Sequence, residues 1–389
     1  MSLFDKFAAA RQLKEGLTHV GSDPTEVVFD ALNSATEGVV KGRRTILAGT
    51  NNYLGLTFSK DCIAAGVAAL ESQGTGTTGS RMANGSYAAH GALEAELADF
   101  FQCANAMVFS TGYAANLGVL TALLAKDDVV LLDADAHASL YDGCRMSGAD
   151  IFRFKHNDVK SLERRLERLK HRASRCLIVV EGMYSVLGDC APLAEFVALK
   201  ERFGARLLVD EAHSVGVYGE RGCGVAEALG VLDKVDFIVG TFSKSLGAMG
   251  GFCASRHDVL GLFRYISRPF MFTASPSPAV IATTREALYQ LCTKPELREK
   301  LWANANQLYS GLLAHGFELG PEISPVVAVR CKDRQSALAQ WNRLLEAGIY
   351  VNMMLPPATP AGASFLRCSI SAAHTSDQIN TIINKFADL

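Results

Sequence analysis

The sequence predicts an α/β fold: a large domain built on a mostly parallel sheet, followed by a smaller α+β domain at the C-terminus. Three observations predict it. Short, continuous apolar runs at 106–110, 129–133, 176–181, 206–210 and 236–240 alternate with helical patterns such as 162–169 and 193–203. Runs without polar alternation belong to strands buried on both faces, as in a parallel sheet flanked by helices. After about Ser275 the pattern changes, with helices at 280–291 and 335–345 around shorter strands near 326–329 and 365–369. Finally, 389 residues are enough for two or more domains.

Taken in order, Phe4, Phe7 and Leu13 lie on one face of a short amphipathic helix that Gly16 is placed to end. Residues 45–56 read as a strand and turn leading into the glycine-rich segment Gly74-Thr75-Gly76-Thr77-Thr78-Gly79-Ser80-Arg81. A helix follows over 87–101, with Leu93, Leu97 and Phe101 four apart. Pro192 opens the helix at 193–203, since proline is pre-set for a first turn. The last helix starts on a capping box, Thr375-Ser376-Asp377-Gln378, ahead of Ile379, Ile382, Ile383 and Phe386. The expected division is an N-terminal arm at 1–40, a large domain at 41–275 and a small α+β domain at 276–389.

Composition narrows the function. The 38 basic and 40 acidic residues leave a net charge of −2, which argues against nucleic-acid or membrane binding through bulk charge. Ten cysteines are scattered singly with no C-x-x-C pair, so no zinc site or disulfide scaffold is expected and they read as reduced thiols. The N-terminus lacks a basic segment followed by an apolar one, and no stretch reaches the ~18 apolar residues of a membrane span. A cytoplasmic protein is expected, with no metal and at most peripheral membrane contact.

In parallel α/β sheets ligands bind beyond the carboxyl ends of the strands. Ser110, Asp133, Glu181, Asp210 and Gly240 end the expected strands. Beyond the last stands Lys244, directly after the hydroxyls of Thr241 and Ser243. Such a lysine can form a Schiff base with pyridoxal phosphate (PLP), while the hydroxyls hold the phosphate. Asp210, opening Asp210-Glu211-Ala212-His213, can hold the pyridine nitrogen. An ion pair there at ~4 Å and an effective dielectric of ~20 is worth about 4 kcal/mol. His137, in Asp133-Ala134-Asp135-Ala136-His137, can stack on the ring, and His213 can bind the phenolic oxygen. The turn Ser110-Thr111-Gly112-Tyr113-Ala114-Ala115-Asn116 can set a helix N-terminus against the phosphate. Ser185, in the loop 181–189, could touch the cofactor or Asp210; that loop reads equally well as a plain turn closed by Gly188-Asp189. Each motif alone fits an ordinary strand-to-loop turn. Their convergence selects a carbanion-forming cofactor site.

Thr241-Phe242-Ser243-Lys244, the D-E-A-H at 210–213, the D-A-D-A-H at 133–137 and the S-T-G-Y-x-A-N at 110–116 together resemble the α-oxoamine synthases. The resemblance runs in order over nearly the whole chain. Pro356-Pro357-Ala358-Thr359-Pro360-Ala361-Gly362, Phe272-Thr273-Ala274-Ser275 and Leu366-Arg367-Cys368-Ser369-Ile370 bring it nearest to the bacterial serine palmitoyltransferases of that family.

The resemblance implies a fold-type I PLP transferase with a seven-stranded sheet. It also implies a decarboxylative condensation of L-serine with a long acyl thioester, carried by acyl-CoA or an acyl carrier protein. Lys244 would hold the cofactor and carry the proton at Cα. Asp210 would bind the ring nitrogen, His137 would stack, and His213 would contact the phenolic oxygen. Gly112, Tyr113, Thr241 and Ser243 would hold the phosphate, joined by Thr273 from the neighbouring subunit of a homodimer. Asn52 and Arg367 would meet the substrate, Arg367 through a bidentate carboxylate contact. Four positions depart from the best-known pattern: Leu355 where an arginine often precedes P-P-A-T-P, Asn51 for an aromatic, Thr78 for an asparagine and Pro276 for a leucine. The alternative is a sister synthase taking alanine or glycine with another thioester.

Overall fold

The computed structural model describes residues 3–19 and 21–389; Met1, Ser2 and Val20, which fall in the expected N-terminal arm, lie outside the described residues. The chain divides into two compact units. One comprises Asn52–Ser185 and Asp189–Glu299. At its centre is a seven-stranded sheet in the order Asn105–Phe109, Gly251–Ser255, Phe237–Thr241, Arg206–Asp210, Cys176–Glu181, Val129–Asp133 and Asp150–Phe154. Only Gly251–Ser255 runs antiparallel to its neighbours. The mostly parallel, seven-stranded sheet is therefore as expected.

Val129–Asp133, Cys176–Glu181 and Arg206–Asp210 coincide with the apolar runs, because a strand covered on both faces needs apolar side chains on both. Helices lie against this sheet, and its apolar layer includes Val119, Leu120, Leu140, Val179 and Leu208. The helix Leu193–Phe203 also matches its expected bounds. The helix expected at 162–169 starts earlier, at Val159, because the Asp158 side chain accepts from Ser161 N at 2.8 Å and caps it. Two strands carry no sequence signal. Asp150–Phe154 is a partly exposed edge, and Gly251–Ser255 has one large side chain, Phe252; pairing with neighbours makes both of them strands. Residues 276–299 belong to this unit, since the helix Pro278–Thr293 packs along Lys60–Gln73. Gly66 permits the approach: a Cβ there would lie 2.8 Å from Thr283 Oγ1.

The other unit comprises Met1–Asn51, Val186–Gly188 and Lys300–Leu389. It holds a three-stranded antiparallel sheet of Val326–Cys331, Ser364–Ser369 and Asn352–Met354. A four-stranded sheet is formed by Ala31–Leu32, Glu37–Val40, Arg43–Leu47 and Ile349–Tyr350. Trp341, Leu308, Ile379 and Phe386 centre its core. The capping box at Thr375 and Gln378 is present in full. The first helix departs from expectation. It spans Ala8–Thr18 and continues through Gly16, with Leu17 buried in its last turn, so tertiary burial outweighs the ~1 kcal/mol a glycine costs a helix. Among the described residues, no helix is long and apolar enough to cross a membrane.

At the strand ends of the sheet unit, His156 sits between two carboxylates, with Nδ1 2.8 Å from Asp133 Oδ1 and Nε2 2.7 Å from Asp189 Oδ2. The Tyr184 ring meets it edge-on at 4.4 Å. Burial alone would push the His156 pKa down, but the hydrogen bonds and charges of Asp133 and Asp189 carry it up to about 10. A pKa raised in the folded state gives stability that is complete below the unfolded value of ~6.5 and is lost as pH rises through 10. The melting temperature is therefore expected to fall between those limits. His156→Gln should cost about 3 kcal/mol at pH 6 and flatten that fall; an unchanged pH profile of melting would refute the assignment.

Candidate active site

The parallel register sets two carboxyls side by side: Glu181 and Asp210 are direct partners across adjacent strands. Both side chains face a cavity of about 230 Å3 beyond the strand ends, and Lys244, His137, His213 and Thr241 line it as well. The cavity thus brings together all four residues expected to be catalytic. Gly112, Tyr113 and Ser243, expected to hold the phosphate together with Thr241, also stand in its wall.

Each of these side chains is held locally. Asp210 ends Arg206–Asp210, is 5% exposed, and accepts from Ala212 N at 2.9 Å and from Asn116 Nδ2 at 2.8 Å. His213 Nδ1 is 2.7 Å from the hydroxyl of the buried Tyr53. Thr241 Oγ1 donates to Gly250 O at 2.9 Å, and the hydroxyls of Thr241 and Ser243 pair at 2.8 Å. His137 is the N-cap of Ala138–Ser147; its backbone N–H donates to Glu181 Oε1 at 2.6 Å. Burial pushes the His137 pKa down, against the raising effect of Asp210, so its ring stays neutral near pH 7. Burial and the neighbouring Asp210 push the Glu181 carboxyl well above the usual range. Tyr113 is half exposed, and its hydroxyl donates to Asp142.

Glu181, expected only as a strand end, is a member of the wall, and sequence reasoning gave no role to two others, Asn116 and Ser139. Asn116 lies inside the motif at 110–116, one helical turn after Gly112 and on the same face, and Ser139 follows His137 by two residues. That spacing was the available signal. Asn116 Nδ2 also donates to Ser139 Oγ at 2.9 Å, and Ser139 Oγ lies 2.7 Å from His137 Nδ1.

Other expected residues stand elsewhere. Asp133 ends its strand but binds His156 and the backbone N–H of Asn157, and is not in the cavity wall. Ser185, four residues past its strand, and Thr273 do not line the cavity of their own chain. The segment after Thr273 is pinned: Ser275 N donates to Gly79 O at 2.9 Å, and Ser275 Oγ lies 2.9 Å from His90 Nε2. Asn52 is buried outside the cavity wall and donates to Thr57 Oγ1 at 2.7 Å. Arg367 belongs to the other unit, where its Nη1 donates to Asn51 Oδ1 at 2.9 Å and to Ser369 Oγ at 2.6 Å.

The wall fits the expected pyridoxal phosphate. The helix Gly112–Leu123 opens on the cavity, and the first N–H groups of a helix have no partner within it, so they suit a phosphate. Gly112 keeps that cradle open against Thr241: a Cβ at position 112 would lie 2.8 Å from Thr241 Cβ. The buried Asp210 carboxylate supplies an acceptor for a protonated ring nitrogen, and Lys244 supplies an amine. No cluster of potential metal ligands occurs among the described residues.

The aminotransferase class I and II family is matched over residues 44–386. A serine palmitoyltransferase of Caulobacter vibrioides is 55% identical over 389 residues, covering 100% of this chain and 96% of that one. Another, from Sphingomonas paucimobilis, is 50% identical and covers 99% of this chain and 92% of that one. Among solved structures, SPT with PLP as its internal aldimine has a TM-score of 0.97 and 49% identity, covering 100% of this chain and 98% of that one.

Proposed function

Because the chain belongs to the aminotransferase class I and II family, and within it to the α-oxoamine synthases, we propose that it condenses L-serine with a long-chain acyl thioester. The products are a 3-ketosphinganine-type amino ketone, the free thiol (coenzyme A) and CO2, which is the entry step of sphingolipid synthesis. One observation carries this reading. The cavity that gathers Lys244, Asp210, His137 and His213 belongs to a chain 55% identical over its full length to a serine palmitoyltransferase.

Bound in this cavity, pyridoxal phosphate supplies an electron sink for a carbanion at the serine Cα. The chain supplies the rest. Thr241, Ser243 and the helix N-terminus at Gly112 and Tyr113 bind the phosphate. Asp210 would hold the cofactor's ring nitrogen in its protonated form, and His213, braced by Tyr53, would bind the phenolic oxygen. Lys244 takes the proton from Cα and returns one to the same carbon after CO2 leaves. His137 would cover the cofactor's ring and offer a hydrogen to the thioester oxygen as charge develops there. By the family resemblance, Arg367 is the residue assigned to the serine carboxylate and Asn52 is assigned to the substrate. The reading includes a homodimer in which Thr273 serves the neighbouring subunit's site. It also includes a cytoplasmic location.

The test is release of free thiol by the PLP-loaded protein from acyl-CoA esters of graded length, with serine, alanine or glycine. Serine with a long chain is expected to be fastest, since each buried CH2 adds about 0.8 kcal/mol, roughly fourfold. Faster turnover of alanine or glycine with short esters would transfer the chain to a sister activity.

A further inference from the structure

We propose that Asn116 is a positioning residue through which the Asp210 carboxylate fixes the tautomer of His137, with its proton on Nε2. The proposal rests on the function above only for the places of His137 and Asp210 against the ring; the hydrogen bonds stand in the protein alone.

Direction passes from one end of this chain of bonds to the other. The Asp210 carboxylate accepts, so Asn116 must turn its amide nitrogen toward Oδ2, at 2.8 Å. The second amide hydrogen then points to Ser139 Oγ, at 2.9 Å. Having accepted there, the Ser139 hydroxyl sends its single hydrogen to His137 Nδ1, at 2.7 Å. The Ser139 backbone N–H donates to the same nitrogen at 3.2 Å. Two donors converging on Nδ1 leave no room for a proton, so a neutral ring carries it on Nε2. The reverse tautomer would set Nδ1–H against the Ser139 N–H.

The amide orientation has a visible cost. Asn116 Oδ1 is buried with no hydrogen-bond partner among the described residues. Turning the amide over would place that oxygen against the Asp210 carboxylate, so the carboxylate decides the orientation. Asn116, Ser139 and Asp210 are 3%, 1% and 5% exposed, so bulk water has little access to replace the relay. Burial keeps the His137 ring neutral, although Asp210 and Asp142 act to raise its pKa and Lys244 to lower it. The consequence is that the only ring hydrogen His137 can offer a substrate oxygen is on Nε2, and Asp210, a residue it does not touch in the relay, adds through Ser139 Oγ to the hold that the Ser139 backbone N–H exerts at 3.2 Å.

The experiment labels the histidines with 15N and reads the two ring nitrogens of His137, assigned by comparison with His137→Gln. It is run on the PLP-loaded protein and again after the cofactor is removed. The expected wild-type pattern is a pyridine-type Nδ1 and a pyrrole-type Nε2 in both forms. Asn116→Leu and Ser139→Ala should each give a mixed pattern, and Ser139→Thr, which keeps the hydroxyl, should restore the wild-type one. Asn116→Leu should also weaken PLP binding by about tenfold, because Asp210 loses a charge-assisted donor. A wild-type Nδ1–H overturns the proposal, as does an unchanged pattern in both Asn116→Leu and Ser139→Ala. Should Asn116→Leu fail to fold, the Ser139→Ala and Ser139→Thr pair decides alone. The tautomer is read without substrate, so a failure of the serine reaction leaves this result standing and is told apart from it.

Discussion

Lys244→Ala is expected to lower turnover of serine and acyl-CoA by at least about a thousandfold, measured as thiol release. Proton transfer by a positioned side chain contributes roughly 10²–10⁴. Among the described residues, Lys244 is the one lysine of the cavity wall, and no other amine of that wall can take its place. Small primary amines added to the solution should restore part of the rate, because they replace the missing base. Borohydride treatment should fix the cofactor to the wild-type protein and leave the variant unlabelled. A variant that turns over normally without added amine would remove Lys244 from the mechanism.

Asp210→Asn is expected to have the next largest effect. At ~4 Å and an effective dielectric of ~20, an opposite charge facing the ring nitrogen is worth about 4 kcal/mol, or nearly three decades in rate. Asparagine keeps the size and part of the hydrogen bonding but cannot supply the charge. It also sets an amide against the Asn116 amide, so the cofactor should bind more weakly. The measurements are kcat and the PLP dissociation constant, with the melting temperature as a check on folding. A loss below tenfold with the cofactor fully bound would mean that Asp210 does not face the ring nitrogen.

These two residues were legible because residue type and spacing alone point to them. A lysine after two hydroxyls and an acid at the end of an apolar run are local patterns. The strands Val129–Asp133 and Cys176–Glu181 were legible for the same reason: burial on both faces writes itself as a continuous apolar run. Asp150–Phe154 and Gly251–Ser255 were not, since an exposed edge and a strand of mostly small residues need no such run. Asn116 was visible only as a motif letter. Its bonds to Ser139 and Asp210 cross 23 and 94 residues of sequence, beyond the reach of any local pattern. Asp133 shows the converse. It ends its strand as predicted, yet His156 claims its carboxylate, so position at a strand end did not suffice to place it in the site.

By itself, then, the sequence determined the parallel α/β core and the residues with the chemistry, because apolar runs and charged strand ends are short-range properties. Only the tertiary structure decided which polar groups meet. The register of Cys176–Glu181 on Arg206–Asp210 sets Glu181 beside Asp210, and the helix after Gly112 brings Asn116 onto both Asp210 and Ser139. Hydrogen-bond direction in a buried wall follows from those meetings, since each donor and acceptor has few alternatives once water is excluded.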